Sequence, residues 1–588
     1  MSRLYISGGV QSLECDARKK GDIALKTSKN DQKLARLRRY LYPNEENGTG
    51  NVVLPFILAA IAVACVGLLI YYICGPMEGY LHGDYTDTIY WANASFVSGK
   101  VISPDFAYAG ILPFSANLWF IPLIAVFGVS MTAQKIGMVI FLLLFVAAIY
   151  FMCRSFKWSL SWTSVTVIIM TMLLSGSDKL REIMWGHVIY YSLALLLLIV
   201  GLGLVPRLLK VKDLKLGSIV WCVLSALFFC GVATNGFQII ALVTLPCMAV
   251  IASEVLLDGE KKLLDKRNIP YAATVMGIGV ATVLGYALLK VFKGDIVSNY
   301  AQSHSMLAPA ANWADNFMKL IKSYFTLIGV DYSGAMGLVS KESIKYIFIM
   351  LAGLAVIILP IILLFNYKKI KDMGTRMILI AHFTVSGVIL FGYICGYLGG
   401  ANWRMTPMLG TSILASIAAI KHFMGEEKGK AVVAKRIMAL FLILLSVATT
   451  YNFSHIYTMP KDYGRDNQLH RLTEALEERG LEYGYATFWY SQGITLLSDS
   501  KVQTCMILAD EDDGVTTDFY QNSYSWYKGR EGVEKYFVLL NSSENSKVTK
   551  CDDWNSFVEE HLIEKEILFD KFVLYILDEN PPFPEPTK

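Results

Sequence analysis

Eleven stretches of this chain are apolar over close to the roughly 20 residues that a helix needs to cross the hydrocarbon core of a bilayer. They run over 51–75, 132–153, 159–175, 185–206, 216–234, 237–257, 271–292, 344–365, 375–398, 405–423 and 436–453. Hydrocarbon offers no water to a free N–H or C=O, so each stretch is expected as a transmembrane helix. Composition agrees: of 588 residues 54% are hydrophobic and 17% charged, too apolar for a soluble enzyme. The net charge is only +4, and the basic residues sit on short loops. That distribution speaks against a nucleic-acid partner and turns the charges into topology information.

One more run, AYAGILPFSANLWFIPLIAVFG at 107–128, sets the parity of everything after it and is interrupted by Pro113 and Pro122. The tail before the first run carries Arg18, Lys19, Lys20, Lys33, Arg36, Arg38 and Arg39, so it is expected in the cytoplasm. If 107–128 crossed the membrane, the basic loops RLLKVKDLK, EKKLLDKR, YKKIKDMGTR and KHFMGEEKGKAVVAKR would all face outward. If it lies in the interface or dips in and out, those four and RSFK all fall inside. The expected fold is therefore a polytopic α-helical membrane protein of about eleven transmembrane helices, with a re-entrant or juxtamembrane helix pair in the first outer loop. Its N-terminus is cytoplasmic and its C-terminus extracytoplasmic.

Three regions follow. Residues 1–50 form a basic cytoplasmic tail, with KLARLRRYLY as a surface helix. Residues 51–453 form the transmembrane domain. In 454–588 charges become frequent and no span-length run occurs. There RDNQLHRLTEALEERG has helical periodicity closing on Gly480, and YGYATFWY, KVQTCMILA, KYFVLLN and KFVLYILD read as strands, making a small extracytoplasmic α/β domain. The N-terminus lacks the short apolar core and cleavage site of a secretory signal, so the first span is expected to be retained. Ten cysteines include no C-x-x-C pair, and no zinc or redox motif is present. Cys505 and Cys551 are able to pair only if their region is extracytoplasmic, which spacing alone leaves open.

The middles of the spans hold essentially no Asp, Glu, Lys or Arg; His382 is the deepest ionisable group, and Glu254, Lys290 and Arg376 lie near ends. A transporter or proton pump keeps such groups near the midplane. A lipid-linked-saccharide flippase, the first alternative reading, would need them along its path; a non-catalytic envelope assembly protein is the second. Here polar groups gather at the outer mouths: Asp84 and Asp87, the stretch SGSDKLREIMWGH, the long loop 293–342 and GGANWRMTP. No Walker A or dinucleotide glycine pattern is visible.

Outer carboxylates, outer cations and a wall of apolar helices suit sugar transfer from a polyprenyl phosphate. The leaving group is a stabilised phosphate, so the site needs a base for the acceptor hydroxyl and cations for the phosphate. A carboxylate opposite the leaving phosphate gives single displacement with inversion.

The order of features resembles the C-type superfamily of membrane glycosyltransferases, which includes protein O-mannosyltransferases and the aminoarabinose transferase of lipid A. The matching elements are the acidic first outer loop (GDYTDTIYWANASFVSGK), the proline-containing stretch ILPFSANLWFIPLIAVFG, the polar opening of the next span (MTAQKIGM) and the Arg-x-x-Pro element of a late span (WRMTP). The resemblance implies a polyprenyl- or dolichyl-phosphate sugar donor, with Asp84 as base, Asp87 its neighbour and alternative, and Arg404 as a lipid-phosphate ligand. Many members carry adjacent Asp-Glu where this chain has Asp84 and Asp87 three apart. Arg181 and Lys100 are further candidates for the donor phosphate; Tyr90, Asp178, Glu182, His187, Trp403 and His304 are candidates for substrate binding. No cofactor is expected: a divalent metal is conceivable on two outer carboxylate clusters, but metal-free chemistry is favoured. The expected partners are the lipid-linked donor, the bilayer and an envelope glycan, lipid or protein acceptor, in a bacterial plasma membrane.

Overall fold

The computed structural model describes residues 52–211, 215–257, 265–294, 306–330, 340–396, 398, 400–425, 431–460, 464 and 466–583, with Leu37 and Leu41. His304 and nearly all of KLARLRRYLY lie outside the described residues.

All eleven apolar runs are helical. In chain order they are α1 (Val53–Cys74), α4 (Met131–Ser155), α5 (Leu160–Leu173), α6 (Tyr190–Leu208), α7 (Leu216–Thr234), α8 (Phe237–Leu256), α9 (Ile269–Lys293), α11 (Lys341–Phe365), α12 (Met373–Ile394), α13 (Thr406–Met424) and α14 (Ala431–Tyr457). Ten have span length. The exception, α5, has 14 residues, about 21 Å of helix, and the chain then bends by 119° into Asp178–Gly186.

The first outer loop contains α2 (Asp87–Ser98) and α3 (Asn117–Phe127). With eleven residues, α3 is about 16 Å long and covers half a hydrocarbon core; it does not cross. It packs on α4, where the Phe120 ring fills the space beside Gly137 and Trp119 Nε1 donates to the Gly137 carbonyl at 3.0 Å. The helix pair of this loop is thus α2 with α3, rather than two helices inside 107–128. Between them, 99–116 is irregular and leads to the tail domain. In the long loop 293–342, α10 (Trp313–Leu327) turns Leu320, Tyr324 and Leu327 inward.

The chain after α14 folds as a six-stranded mixed sheet in the order β3-β2-β1-β4-β6-β5. The strands are β1 (Tyr483–Ala486), β2 (Gln503–Ala509), β3 (Val515–Thr517), β4 (Tyr536–Asn541), β5 (Leu562–Leu568) and β6 (Phe572–Leu577). β1 pairs in parallel with β2 and β4, and the remaining pairs are antiparallel. Alternation divides the sheet into two faces. Ala486, Phe537, Leu539, Leu574 and Ile576 join the core shared with the helices, whereas Tyr483, Tyr485, Val538, Leu540 and Tyr575 form a second core. Cys505 and Cys551 are buried free thiols on that second side.

Main-chain bonds tie this domain to the first loop. Ala107 N donates to Asn522 O and Gln521 N to Ala107 O, both at 2.8 Å, around an antiparallel bridge between Phe106 and Ser523. The first loop and the tail domain therefore share one face of the helical layer. On the opposite face the basic loops meet: Lys421 Nζ lies 2.9 Å from Asp372, which also accepts from Trp158 Nε1 at 3.2 Å, and Arg376 forks onto Glu254 at 2.8 and 2.6 Å.

Candidate active site

The first loop leaves α1 through a short turn, Gly83–Thr86, that presents Asp84 before α2 begins at Asp87. A carboxylate in the first turn suits the positive end of a helix. The second contribution comes from the bend after α5, where Ser177 caps Asp178–Arg181 by accepting from Leu180 N at 3.1 Å. These two segments face each other. His82 Nε2 stands 3.3 Å from Glu182, His82 Nδ1 3.9 Å from Asp84, and Lys179 Nζ 2.6 Å from Glu182. Lys179 also lies 4.8 Å above the Trp403 ring, which brings in the start of α13.

Exposure separates the two aspartates. The Asp84 side chain is 29% exposed; Asp87 is buried, and its Oδ1 has no partner. Burial, then the Asp84 charge, pushes the Asp87 carboxyl well above the ordinary carboxylate range, against a lowering contribution from Gln521. Glu182 goes the other way. Burial acts to raise it, but His82, His187 and Lys179 outweigh burial and hold it below its usual value. His187 is lowered by burial against the attraction of Glu182 and Asp84, and neither ring nitrogen has a partner.

One side chain positions both segments. Buried Gln134, in the first turn of α4, donates through Nε2 to Tyr85 O at 3.0 Å and to Gly186 O at 2.7 Å. At Gly186 an added Cβ would stand 2.3 Å from the Tyr85 ring, so only glycine allows that approach. Thr88 Oγ1 accepts from Val188 N at 2.8 Å and joins α2 to the same segment. From the tail domain, Gln492 accepts from Thr86 Oγ1 at 2.7 Å, Gln521 accepts from Trp91 Nε1 at 2.5 Å, and Trp489 stands with its ring 5.8 Å from that of His82.

No family model matches the chain, and no curated protein matches it by sequence. Solved structures do. ArnT from Cupriavidus metallidurans, crystallised bound to undecaprenyl phosphate, matches with a TM-score of 0.50 and 10% identity, over 89% of this chain and 97% of that one. The chain shares the fold of that structure. An Archaeoglobus fulgidus oligosaccharyltransferase in complex with Zn and sulfate is more loosely similar, with a TM-score of 0.46 and 11% identity over 86% of this chain and 71% of that one.

Within this fold the predicted residues separate. Asp84, Asp87, Glu182, His187 and Trp403 converge, and Arg404 adjoins Trp403 with a buried Nε that has no partner while its Nη1 donates to Leu398 O. Arg181 is 1% exposed, pairs with Asp178, donates to Ser175 O at 2.9 Å and lies over the Tyr72 ring; it braces the bend rather than opening onto the cluster. Asp178, 72% exposed, serves as its partner. Tyr90 is buried against Trp526 of the tail domain. Lys100 is exposed beyond the far end of α2, a helix length of about 18 Å from Asp87. Sequence reasoning missed Lys179, Gln134 and His82 as members of the cluster. Lys179 was visible as the lysine of SGSDKLREIMWGH, and Gln134 as a polar residue opening a span. Among the described residues, His82, Asp84 and Glu182 form the one group of metal-ligating type, with ligand atoms within 4.8 Å of one another.

Proposed function

We propose that the chain is an inverting glycosyltransferase that moves a sugar from a polyprenyl-phosphate donor to a cell-envelope acceptor on the outer face of a bacterial plasma membrane. The observation that carries this reading is the half-open Asp84 joined through His82 and Glu182 to Lys179, which lies over the Trp403 ring next to Arg404 in the chain. The acceptor hydroxyl attacks the anomeric carbon while Asp84 takes its proton. The bond from that carbon to phosphate breaks, and its electron pair leaves with the phosphate. Lys179 and Arg404 hold the departing phosphate, Arg through its planar fork. His82 and Glu182 orient Asp84 and Lys179. The metal-free reading is supported by Lys179, whose ammonium already balances Glu182 in the one cluster of ligand type.

Purified protein incubated with a radiolabelled polyprenyl-phosphate sugar is expected to release free lipid phosphate only when acceptor is present. Asp84→Asn lowers the transfer rate about 10²–10⁴-fold while lipid-donor binding stays nearly intact. Full activity in both Asp84→Asn and Asp87→Asn would end this reading. Chelation is expected to leave the rate unchanged; a loss restored by a divalent ion would assign the His82, Asp84 and Glu182 cluster to a metal instead. The tail domain is proposed to orient the acceptor: exchanging 454–588 should change acceptor choice, and loss of donor binding with unchanged choice would count against that role.

A further inference from the structure

On the face opposite the candidate site, the last turn of α6 brings Arg207 out between two aromatic rings. Its guanidinium lies 4.1 Å from the Phe151 ring centroid, on α4, and 4.7 Å from that of Trp221, on α7. It donates to Gly203 O at 2.9 Å and to Ser155 Oγ, and no carboxylate stands within ion-pair distance among the described residues. Lys210 and Lys157 flank it, both exposed and likewise without an acidic partner among the described residues. The three charges act on one another: burial, then Lys157 and Arg207, push the Lys210 ammonium below its usual value. Like charges held together in this way favour an anion between them.

Immediately below these cations a groove of about 370 Å³ runs between α6, α7 and α9, within the range of ligand pockets, roughly 300–1,000 Å³. Leu208 and Val211, the neighbours of Arg207 and Lys210, line its upper end. Its sides are small and open outward: Cys222, Ala226, Ala273 and Gly277 are exposed. Its floor is Phe229 and Ile278, both buried. Two hydroxyls interrupt this lining: Thr274 Oγ1, which already donates to Pro270 O at 2.7 Å, and Ser225 Oγ, which is buried without a hydrogen-bond partner one helical turn beyond Cys222. Cations, then an uncommitted hydroxyl donor, then apolar wall is the order of groups along a phospholipid: phosphate, glycerol ester, acyl chain.

We propose that the groove between α6, α7 and α9 is a binding site for one acidic phospholipid of the leaflet on the basic side, with its phosphate at Arg207, Lys210 and Lys157, an ester carbonyl accepting from Ser225 and an acyl chain along α7 and α9. This site does not depend on the glycosyltransferase reading. Basic pockets between transmembrane helices recognise anionic headgroups, each cation contributing about a fivefold factor near the surface.

Native mass spectrometry of the full chain in detergent, titrated with dioleoyl phosphatidylglycerol or dioleoyl phosphatidylcholine, tests it. The first phosphatidylglycerol is expected to bind at least about tenfold more tightly than phosphatidylcholine, with Lys210→Gln reducing that preference about fivefold and Lys157→Gln/Lys210→Gln about 25-fold. Gly277→Leu fills the groove without touching a charge, because a Cβ there meets nothing within 4 Å; it is expected to remove the tight site while the protein stays monodisperse. Millimolar inorganic phosphate is expected not to displace the lipid; displacement would show a site for a free anion and overturn the proposal. Equal affinity for both lipids, or an unchanged preference in both the charge variants and Gly277→Leu, would overturn it as well.

Discussion

The two faces of the helical layer carry charge in different ways. On the basic face, carboxylates have their cations in place: Glu254, nearly buried, holds the Arg376 fork, and half-buried Asp372 holds Lys421, Trp158 and Thr375. At the opposite mouth, polar capacity is left unmet. One oxygen of Asp87, both ring nitrogens of His187 and the Nε of Arg181 and Arg404 are buried with no partner. Each such group costs about 1–3 kcal/mol, and native structures keep few of them without reason. The basic face uses its carboxylates to lock helix ends and leaves cations, Arg207, Lys210 and Lys157, without a carboxylate partner among the described residues; the mouth leaves a carboxylate oxygen and imidazole nitrogens unmet as well.

That comparison breaks most readily at Arg376. Arg376→Met strands Glu254 in a buried position and should cost about 3–5 kcal/mol of stability, read as a lowered unfolding temperature, while kcat/KM of the surviving protein stays at the parent value. A large loss of turnover at matched folding would erase the distinction between the faces. Lys179→Met sharpens the comparison from the other side. Removing a charged hydrogen-bond donor at about 1.5–3 kcal/mol should weaken lipid-phosphate binding roughly 10- to 100-fold with little effect on melting. A purely structural Lys179 would show the reverse.

Gln521→Ala is smaller. It removes the acceptor of Trp91 Nε1 at the junction of first loop and tail domain, and about 1–2 kcal/mol should be lost, seen as earlier proteolysis of the tail rather than unfolding of the helices. The smallest effect concerns pH. The folded Asp87 carboxyl titrates above its unfolded counterpart, so its stabilising contribution is complete below the unfolded value of about 3.9 and is lost as pH rises through the raised one. Asp87→Asn, fixed in a neutral form, should therefore show a flatter melting temperature between pH 4 and 8. Parallel curves for the two proteins would contradict a buried neutral Asp87.

The helical layer was legible in the sequence because hydrocarbon imposes one condition on every span, and ten of the eleven apolar runs meet it as single helices without competition from local propensity. Pro113 and Pro122 marked the segment that fails to cross. In the tail, four strands were readable from their apolar alternation. β5, sequence LIEKEIL, was not, since it is an edge strand with exposed charged side chains and takes its register from β6. Part of the site was legible too. Asp84, Glu182 and Trp403 announced themselves as polar or aromatic residues at span mouths. Arg181 resembled them in sequence and differs only in where the 119° bend sends it. The Gln134 side-chain amide reaches the Tyr85 carbonyl across 49 residues, a distance along the chain that no local pattern encodes.

The seam between Phe106–Ala107 and Gln521–Ser523 is made largely of backbone groups. Amide pairing of this kind reads strand path and not residue identity, so substitutions along either ribbon, Gln521 with its side-chain bonds excepted, leave the join intact. The tail domain can therefore diverge in its loops, or be traded for a cousin with the same ribbon, while the acids of the candidate site keep their setting. Change in what the tail domain meets would then proceed by re-upholstering one module against a fixed hinge line.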